Sequence, residues 1–165
     1  MTCESSNSVR VLDVAARAIT GEIAVDARPR SAAFLPDSSK AYVTSEMGGS
    51  VAVISVPKHE VRKTLKLAGD GVRPMGIAVA PDGKHVYVTT GHGGTIVVID
   101  ATTDEAVGSI RVGSRPWGIA VTPDGRTLYT ANGLSDDVSV VDAASAKVIQ
   151  HVHVGSKPWG VVYVP

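Results

Sequence analysis

Short apolar runs separated by clusters of Pro, Gly, Asp and Asn follow one another along the whole chain. Between residues 73 and 113 the pattern can be read strand by strand. Gly76-Ile-Ala-Val-Ala80 is almost wholly apolar, as expected of a strand buried on both faces. Pro81-Asp-Gly83 ends it: proline presets φ, aspartate bonds back to the backbone and glycine accepts positive φ. Lys84-His-Val-Tyr-Val-Thr-Thr90 is a second strand and Gly91-His-Gly-Gly94 a second turn. Thr95-Ile-Val-Val-Ile-Asp100 is a third, continuously apolar strand, and Ala101-Thr-Thr-Asp104 turns again with Asp100 as an Asx-turn residue. Glu105-Ala-Val-Gly-Ser-Ile-Arg-Val112 alternates, with Val107, Ile110 and Val112 among polar residues, and is the most exposed of the four.

The same pattern recurs. Arg115-Pro-Trp-Gly-Ile-Ala-Val-Thr-Pro-Asp-Gly125 matches Arg73-Pro-Met-Gly-Ile-Ala-Val-Ala-Pro-Asp-Gly83, Arg28-Pro-Arg-Ser-Ala-Ala-Phe-Leu-Pro-Asp-Ser38 and the shorter Lys157-Pro-Trp-Gly-Val-Val-Tyr-Val-Pro165. The starts lie 45, 42 and 42 residues apart. Four short antiparallel strands per repeat of this length predict an all-β fold, a β-propeller built of four-stranded antiparallel blades. Helical repeats would need a 3.6-residue apolar period, and immunoglobulin-like sandwiches do not repeat in this way. The chain reads as one propeller segment over 1–165, with full blades at about 28–70, 73–113 and 115–155 and blade halves at 1–26 and 157–165. The first half blade follows from Thr2-Cys-Glu4, which aligns with Thr44-Ser-Glu46, so the chain opens inside a second strand and continues through strands at 8–13 and 17–25.

Composition narrows the function classes. Sixteen basic and sixteen acidic residues cancel, which leaves no charge excess for nucleic acid or an anionic membrane. Cys3 is the single cysteine, so no internal disulfide and no cysteine zinc cluster can form. No run has the length of a membrane span, and the polar stretch 1–8 has no basic-then-apolar export pattern.

Chain direction reverses at every strand. The link into each first strand and the turn between strands two and three therefore share one face of the disc, and first strands line the central channel. Arg28, Arg73, Arg115 and Lys157 are expected to form a ring of cations on that face, with Arg30, Met75, Trp117 and Trp159 as a second ring. Loops Glu46-Met-Gly-Gly49, Gly91-His-Gly-Gly94 and Asn132-Gly-Leu-Ser-Asp-Asp137 overlook it. One reading is a binding surface for an anionic or aromatic ligand or a protein partner, since arginine forks hold carboxylates and tryptophan offers a flat contact. The other is packing of one repeat on the next, which repetition in every blade favours. Residues that break the symmetry are His92, Asp136 and Asp137, then His85 and Glu46. His92 in a Gly-rich turn is a candidate ligand or base, set against a solvated loop histidine. Asp136-Asp137 reads as a charged turn rather than a cation site. His151 and His153 share a face of an outer strand but lack an evident third ligand. Asp13, Asp100 and Asp142 read as turn residues. No nucleophile, zincin, Walker or dinucleotide motif is present, so no catalytic residue and no metal site is assigned.

Tyr42-Val-Thr44, Tyr87-Val-Thr89 and the divergent Tyr129-Thr-Ala-Asn132, with the Pro-Asp-Gly turns and the Val/Ile-Asp close of the third strand, resemble the YVTN-repeat β-propeller family. The Arg-Pro-Trp-Gly entry resembles the PQQ-dependent catabolism-associated β-propeller proteins. The resemblance implies a ring of about seven blades and a periplasmic or extracellular location, whereas this chain has half that length and no leader. It also implies a non-enzymatic binding or scaffold role accessory to quinone-dependent oxidation, with PQQ or haem association but no cofactor read from the residues themselves. The alternative it carries is a propeller enzyme, lactonase-like or haem- or quinone-binding. A cationic axial ring disfavours the carboxylate metal site of a lactonase, and His92 is the candidate haem ligand. Ring closure has three routes: the chain's own ends in four blades, a homodimer in eight, or a longer parent of seven, the N-terminus reading as cut.

Overall fold

The structure is a computed structural model that describes residues 1–164. It consists of four antiparallel sheets, each a consecutive stretch of chain. β1 (Thr2–Cys3), β2 (Ser8–Asp13) and β3 (Ala18–Ala24) form a three-stranded sheet. β4 (Pro29–Phe34), β5 (Lys40–Ser45), β6 (Ser50–Ser55) and β7 (Glu60–Lys66) form the first complete blade. β8 (Ile77–Val79), β9 (His85–Thr89), β10 (Thr95–Asp100) and β11 (Glu105–Arg111) form the second. β12 (Pro116–Val121), β13 (Thr127–Asn132), β14 (Asp137–Asp142) and β15 (Lys147–His153) form the third. The protein is an all-β partial propeller, and among the described residues no helix is long and apolar enough to cross a membrane.

The expected turns have the expected chemistry. Asp37, Asp82 and Asp124 each accept the backbone N–H two residues on, at 2.9, 3.0 and 3.0 Å. The residue after each has positive φ: 58° at Ser38 and 72° at both Gly83 and Gly125. Asp13, Asp100 and Asp142 close the third strands by accepting backbone N–H groups of the following turn. The Gly91–Gly93 stretch, expected as a plain turn, is one turn of 3-10 helix ended by Gly94 in the left-handed region.

Burial follows the order of strands in each blade. β6 is buried along its whole length, whereas β7 alternates exposed and half-buried residues and β15 is largely exposed. The core is divided among the junctions between sheets. Tyr42, Val51, Val53, Val86, Val88 and Ile99 pack together between the first and second blades. Tyr87, Ile96, Ile110, Leu128 and Val141 pack between the second and third.

The predicted lone first strand at 157–165 departs from expectation. Residues 157–164 run beside β12, with the Gly160 backbone against Gly118, but they make no strand pairing with β1 or any other strand. Pro165 lies outside the described residues. Of the three closure routes, the four-bladed one would need β1 to pair with this segment, and that pairing is not made.

Candidate functional site at the channel mouth

The threonine of each Tyr-Val-Thr strand positions the site. Thr44 donates its hydroxyl to the carbonyl of Met75 at 2.7 Å, and Thr89 donates to the carbonyl of Trp117 at 2.9 Å. Thr2 donates to the carbonyl of Arg30 at 3.1 Å. Each bond runs from one sheet to the first strand of the next, or for Met75 to the link just before it, and fixes the backbone of the second-ring residue. In return Thr44 and Thr89 accept the N–H of Ser31 and Gly76 within their own blades, at 3.0 and 2.8 Å. In the third blade the matching residue is Ala131. Among the described residues no hydroxyl reaches Trp159, and the segment 160–164 forms no strand.

The link-and-turn pairing expected on one face is present. The N–H of Glu46 donates to the Arg28 carbonyl at 2.9 Å and that of Gly133 to the Arg115 carbonyl at 3.0 Å. The Arg73 N–H donates to Thr90 at 2.9 Å. Asn7 and Asp136 end their turns at φ 52° and 56°, and their side chains accept the N–H of Arg28 and Lys157 at 3.0 and 2.8 Å. Asn and Asp are the side chains that tolerate this left-handed geometry and can also accept.

The second ring converges. Arg30, Met75, Trp117 and Trp159 line one pocket of about 330 Å³ together with Glu4. The two indoles stand 4.4 Å apart between centroids and 42° from parallel. The Arg30 guanidinium lies 5.9 Å from the Trp159 ring centre. Gly133 makes room for this arrangement, because a Cβ there would fall 2.3 Å from the Trp117 ring.

The four first-ring cations are not equivalent. Arg28 is paired, with its Nε 3.1 Å from Glu4 and 3.4 Å from Glu46. Arg30 joins the same cluster, bonding Glu4 and approaching Glu46 at 3.5 Å. Glu4, Glu46, Arg28 and Arg30 thus form a charge-neutral network at one side of the mouth. Arg73 contacts Met47 Sδ at 2.8 Å. Arg115 lies over Trp117, 5.4 Å from the ring centre, an attractive cation–π placement. Among the described residues no carboxylate pairs with Arg73, Arg115 or Lys157. Glu4 is the residue of this cluster that reading by type overlooked. Its signal was the alignment of Thr2-Cys-Glu4 with Thr44-Ser-Glu46, which puts the two glutamates at one repeat position.

The other candidates lie elsewhere. His92 is exposed and lines a separate pocket of about 190 Å³ with Arg111, Arg115 and Leu134. Asp136 caps Lys157 as described, and Asp137 is the hub of the third blade. The Asp137 carboxylate accepts from Asn132 at 2.9 Å, from Ser135 at 2.6 Å and from His151 Nδ1 at 2.7 Å. Burial pushes the Asp137 carboxyl up, but the bonds from Ser135, Asn132 and His151 outweigh it and hold it below the usual carboxylate range. His153 is exposed beside it on β15 and His85 faces the opposite side of the disc. Among the described residues no three His, Cys, Asp or Glu side chains are placed to hold a metal ion.

Comparison with known proteins agrees with this architecture. A solved structure titled "Kuenenia stuttgartiensis Hydrazine Synthase" superposes with a TM-score of 0.85 at 31% identity, over 92% of this chain and 44% of that one. A functionally unknown protein from Desulfotomaculum acetoxidans superposes with a TM-score of 0.74 at 19% identity, over 89% of this chain and 49% of that one, which shows the shared fold. The chain therefore spans about half the length of these solved relatives. No curated protein matches the chain closely enough to be named as a relative. The model of the family described as "Lactonase, 7-bladed beta-propeller" matches residues 6–153, and the chain belongs to that family.

Proposed function

We propose that this half-ring is a binding propeller whose channel mouth holds a planar, anionic ligand against Trp117 and Trp159. One observation carries the reading: Arg115, which pairs with no carboxylate among the described residues, lies over an indole that meets a second, exposed indole at a tilt of 42°. A flat conjugated ring gains from such a surface, and a carboxylate on it gains from an unpaired guanidinium. The resemblance to YVTN-repeat and PQQ-associated propellers supports a quinone cofactor as that ligand and a scaffold role beside quinone-dependent oxidation outside the cytoplasm. Pyrroloquinoline quinone suits the residues present, its ring on the indoles and a carboxylate toward Arg115. When bound it would supply redox chemistry to a partner enzyme, while these side chains bind and orient it.

The second reading is enzymatic. It is favoured by the family's description as a lactonase and by the naming of a 31% identical solved structure for an enzyme. In that reading Glu4 and Glu46, the carboxylates at the mouth, are the chain's contribution to the chemistry. The remaining blades of a full ring would contribute the rest.

Tryptophan fluorescence separates the two. Titration with pyrroloquinoline quinone should quench both indoles saturably, and Trp117→Ala and Arg115→Ala should each weaken binding by about tenfold or more. The reading fails if neither substitution alters the affinity. Hydrolysis of a sugar lactone that vanishes in Glu4→Gln and Glu46→Gln would establish the enzymatic reading instead.

A further inference from the structure

The junctions between blades offer an internal comparison. Between the first and second blades, three polar side chains clamp the outer edge. Asp104 accepts from Tyr42 Oη at 2.5 Å and from Lys40 Nζ at 2.8 Å, and Lys40 also donates to the Ala101 carbonyl at 2.7 Å. Beside them Lys63 pairs with Glu105. Both members of the Lys40–Asp104 pair are nearly buried, with side chains 13% and 12% exposed.

One blade further on, the repeat puts different residues in the same places. Tyr87 keeps the place of Tyr42, but His85 replaces Lys40, Ala146 replaces Asp104 and Gly108 replaces Lys63. Asp104 and Ala146 share the same turn geometry, with φ 57° and 54°. The clamp is gone, and an open cleft of about 690 Å³ takes its place. A Cβ added to Gly108 would meet nothing within 4 Å. His85 and Tyr87 sit side by side in the cleft, their rings 6.4 Å apart between centroids and 29° from parallel. Among the described residues the Tyr87 hydroxyl has no acceptor, whereas the Tyr42 hydroxyl has a carboxylate.

The geometry points to a second ligand site in this cleft, for a small organic acid whose carboxylate stands where Asp104 stands in the neighbouring junction. Tyr87 Oη and the His85 imidazole donate to that carboxylate, as Tyr42 and Lys40 donate to Asp104. The body of the acid lies on the apolar wall of Val98, Val107, Ile110 and Ala143. Arg126 lines the cleft and Lys147 stands at the place of Glu105, and neither makes an ion pair among the described residues. Asp82 and Asp124 also line the cleft and keep their charge while accepting backbone N–H groups, so the bound carboxylate is held against their repulsion by Tyr87, His85 and Arg126. The cleft opens among the Pro-Asp-Gly turns, on the face opposite the channel mouth, so the two sites are independent.

Benzoate is the probe, with benzyl alcohol as its uncharged counterpart. Binding to the full chain is followed through the side-chain NMR signals of Tyr87 and His85. Benzoate should bind saturably and at least about tenfold more tightly than benzyl alcohol, the discrimination expected of hydrogen bonds to a charged acceptor. Ala146→Asp supplies the missing carboxylate from within, so it should abolish benzoate binding and raise the melting temperature. Tyr87→Phe should weaken benzoate about tenfold and leave benzyl alcohol unchanged, and it keeps the question decidable if Ala146→Asp folds poorly. Equal affinity for the two probes, no saturation with benzoate, or unchanged benzoate affinity in Tyr87→Phe would overturn the proposal.

Discussion

Thr44 and Thr89 each serve two blades at once, donating across the junction and accepting within their own sheet. Both are fully buried, so their hydroxyls cannot exchange these partners for water. Thr89→Val should therefore cost about 1–3 kcal/mol, read from denaturant midpoints, and should also shift the Trp117 emission because that residue's carbonyl loses its donor. A second residue-scale requirement lies across the pocket. Gly133→Ala would drive a methyl into the Trp117 ring, so it should displace the indole and destabilise by about 1–3 kcal/mol. Emission unchanged in that variant would contradict the placement of Trp117. Neither relation was legible in the sequence, although every residue involved was. Threonine reads as a strand former and glycine as a turn residue, and nothing in their types reveals that the partner lies 28 positions away for Thr89. The Glu4–Arg30 pair was hidden for the same reason, with 26 positions between its members.

At the scale of elements, strands and turns could be read closely because each turn type demands its own chemistry. The Pro-Asp-Gly turns need positive φ at the third position, and Ser38 occupies it at 58° with a side chain that position disfavours. Ser38→Gly should raise stability by up to about 1 kcal/mol, measured by chemical denaturation. The expected first strand at 157–165 is not formed over 157–164 because a strand needs a ladder partner, and among the described residues none pairs with this segment, β1 being paired with β2. Ala131, which stands where Thr44 and Thr89 donate to the next blade, adds no side-chain bond to Trp159. In the third blade Asp137 ties β13, its turn and β15 together through Asn132, Ser135 and His151. Its carboxyl titrates below the range of an unfolded aspartate, so the stabilisation is complete above about pH 4 and is lost as pH falls through the folded value. Asp137→Asn should flatten the acid limb of the stability curve, whereas an unchanged slope would show that the hub carries no linked proton.

For the molecule as a whole, stability resides in the junctions, and the two complete ones differ. Removing one partner of a nearly buried ion pair leaves the other uncompensated, so Asp104→Ala should destabilise by about 3 kcal/mol. The far junction lacks that pair and should be the first to open in hydrogen exchange. The four cations expected to form a ring differ in what they contact. Arg28 is neutralised by Glu4 and Glu46, Arg115 is turned onto an indole, and the channel mouth is aromatic as much as cationic. That division decides what the face can hold. A crystal of the chain soaked with pyrroloquinoline quinone tests it most directly. Planar difference density lying against Trp117 and Trp159, with a carboxylate at Arg115, is the expected result. Density for the quinone elsewhere on the disc, with the indole pair bare, would contradict it.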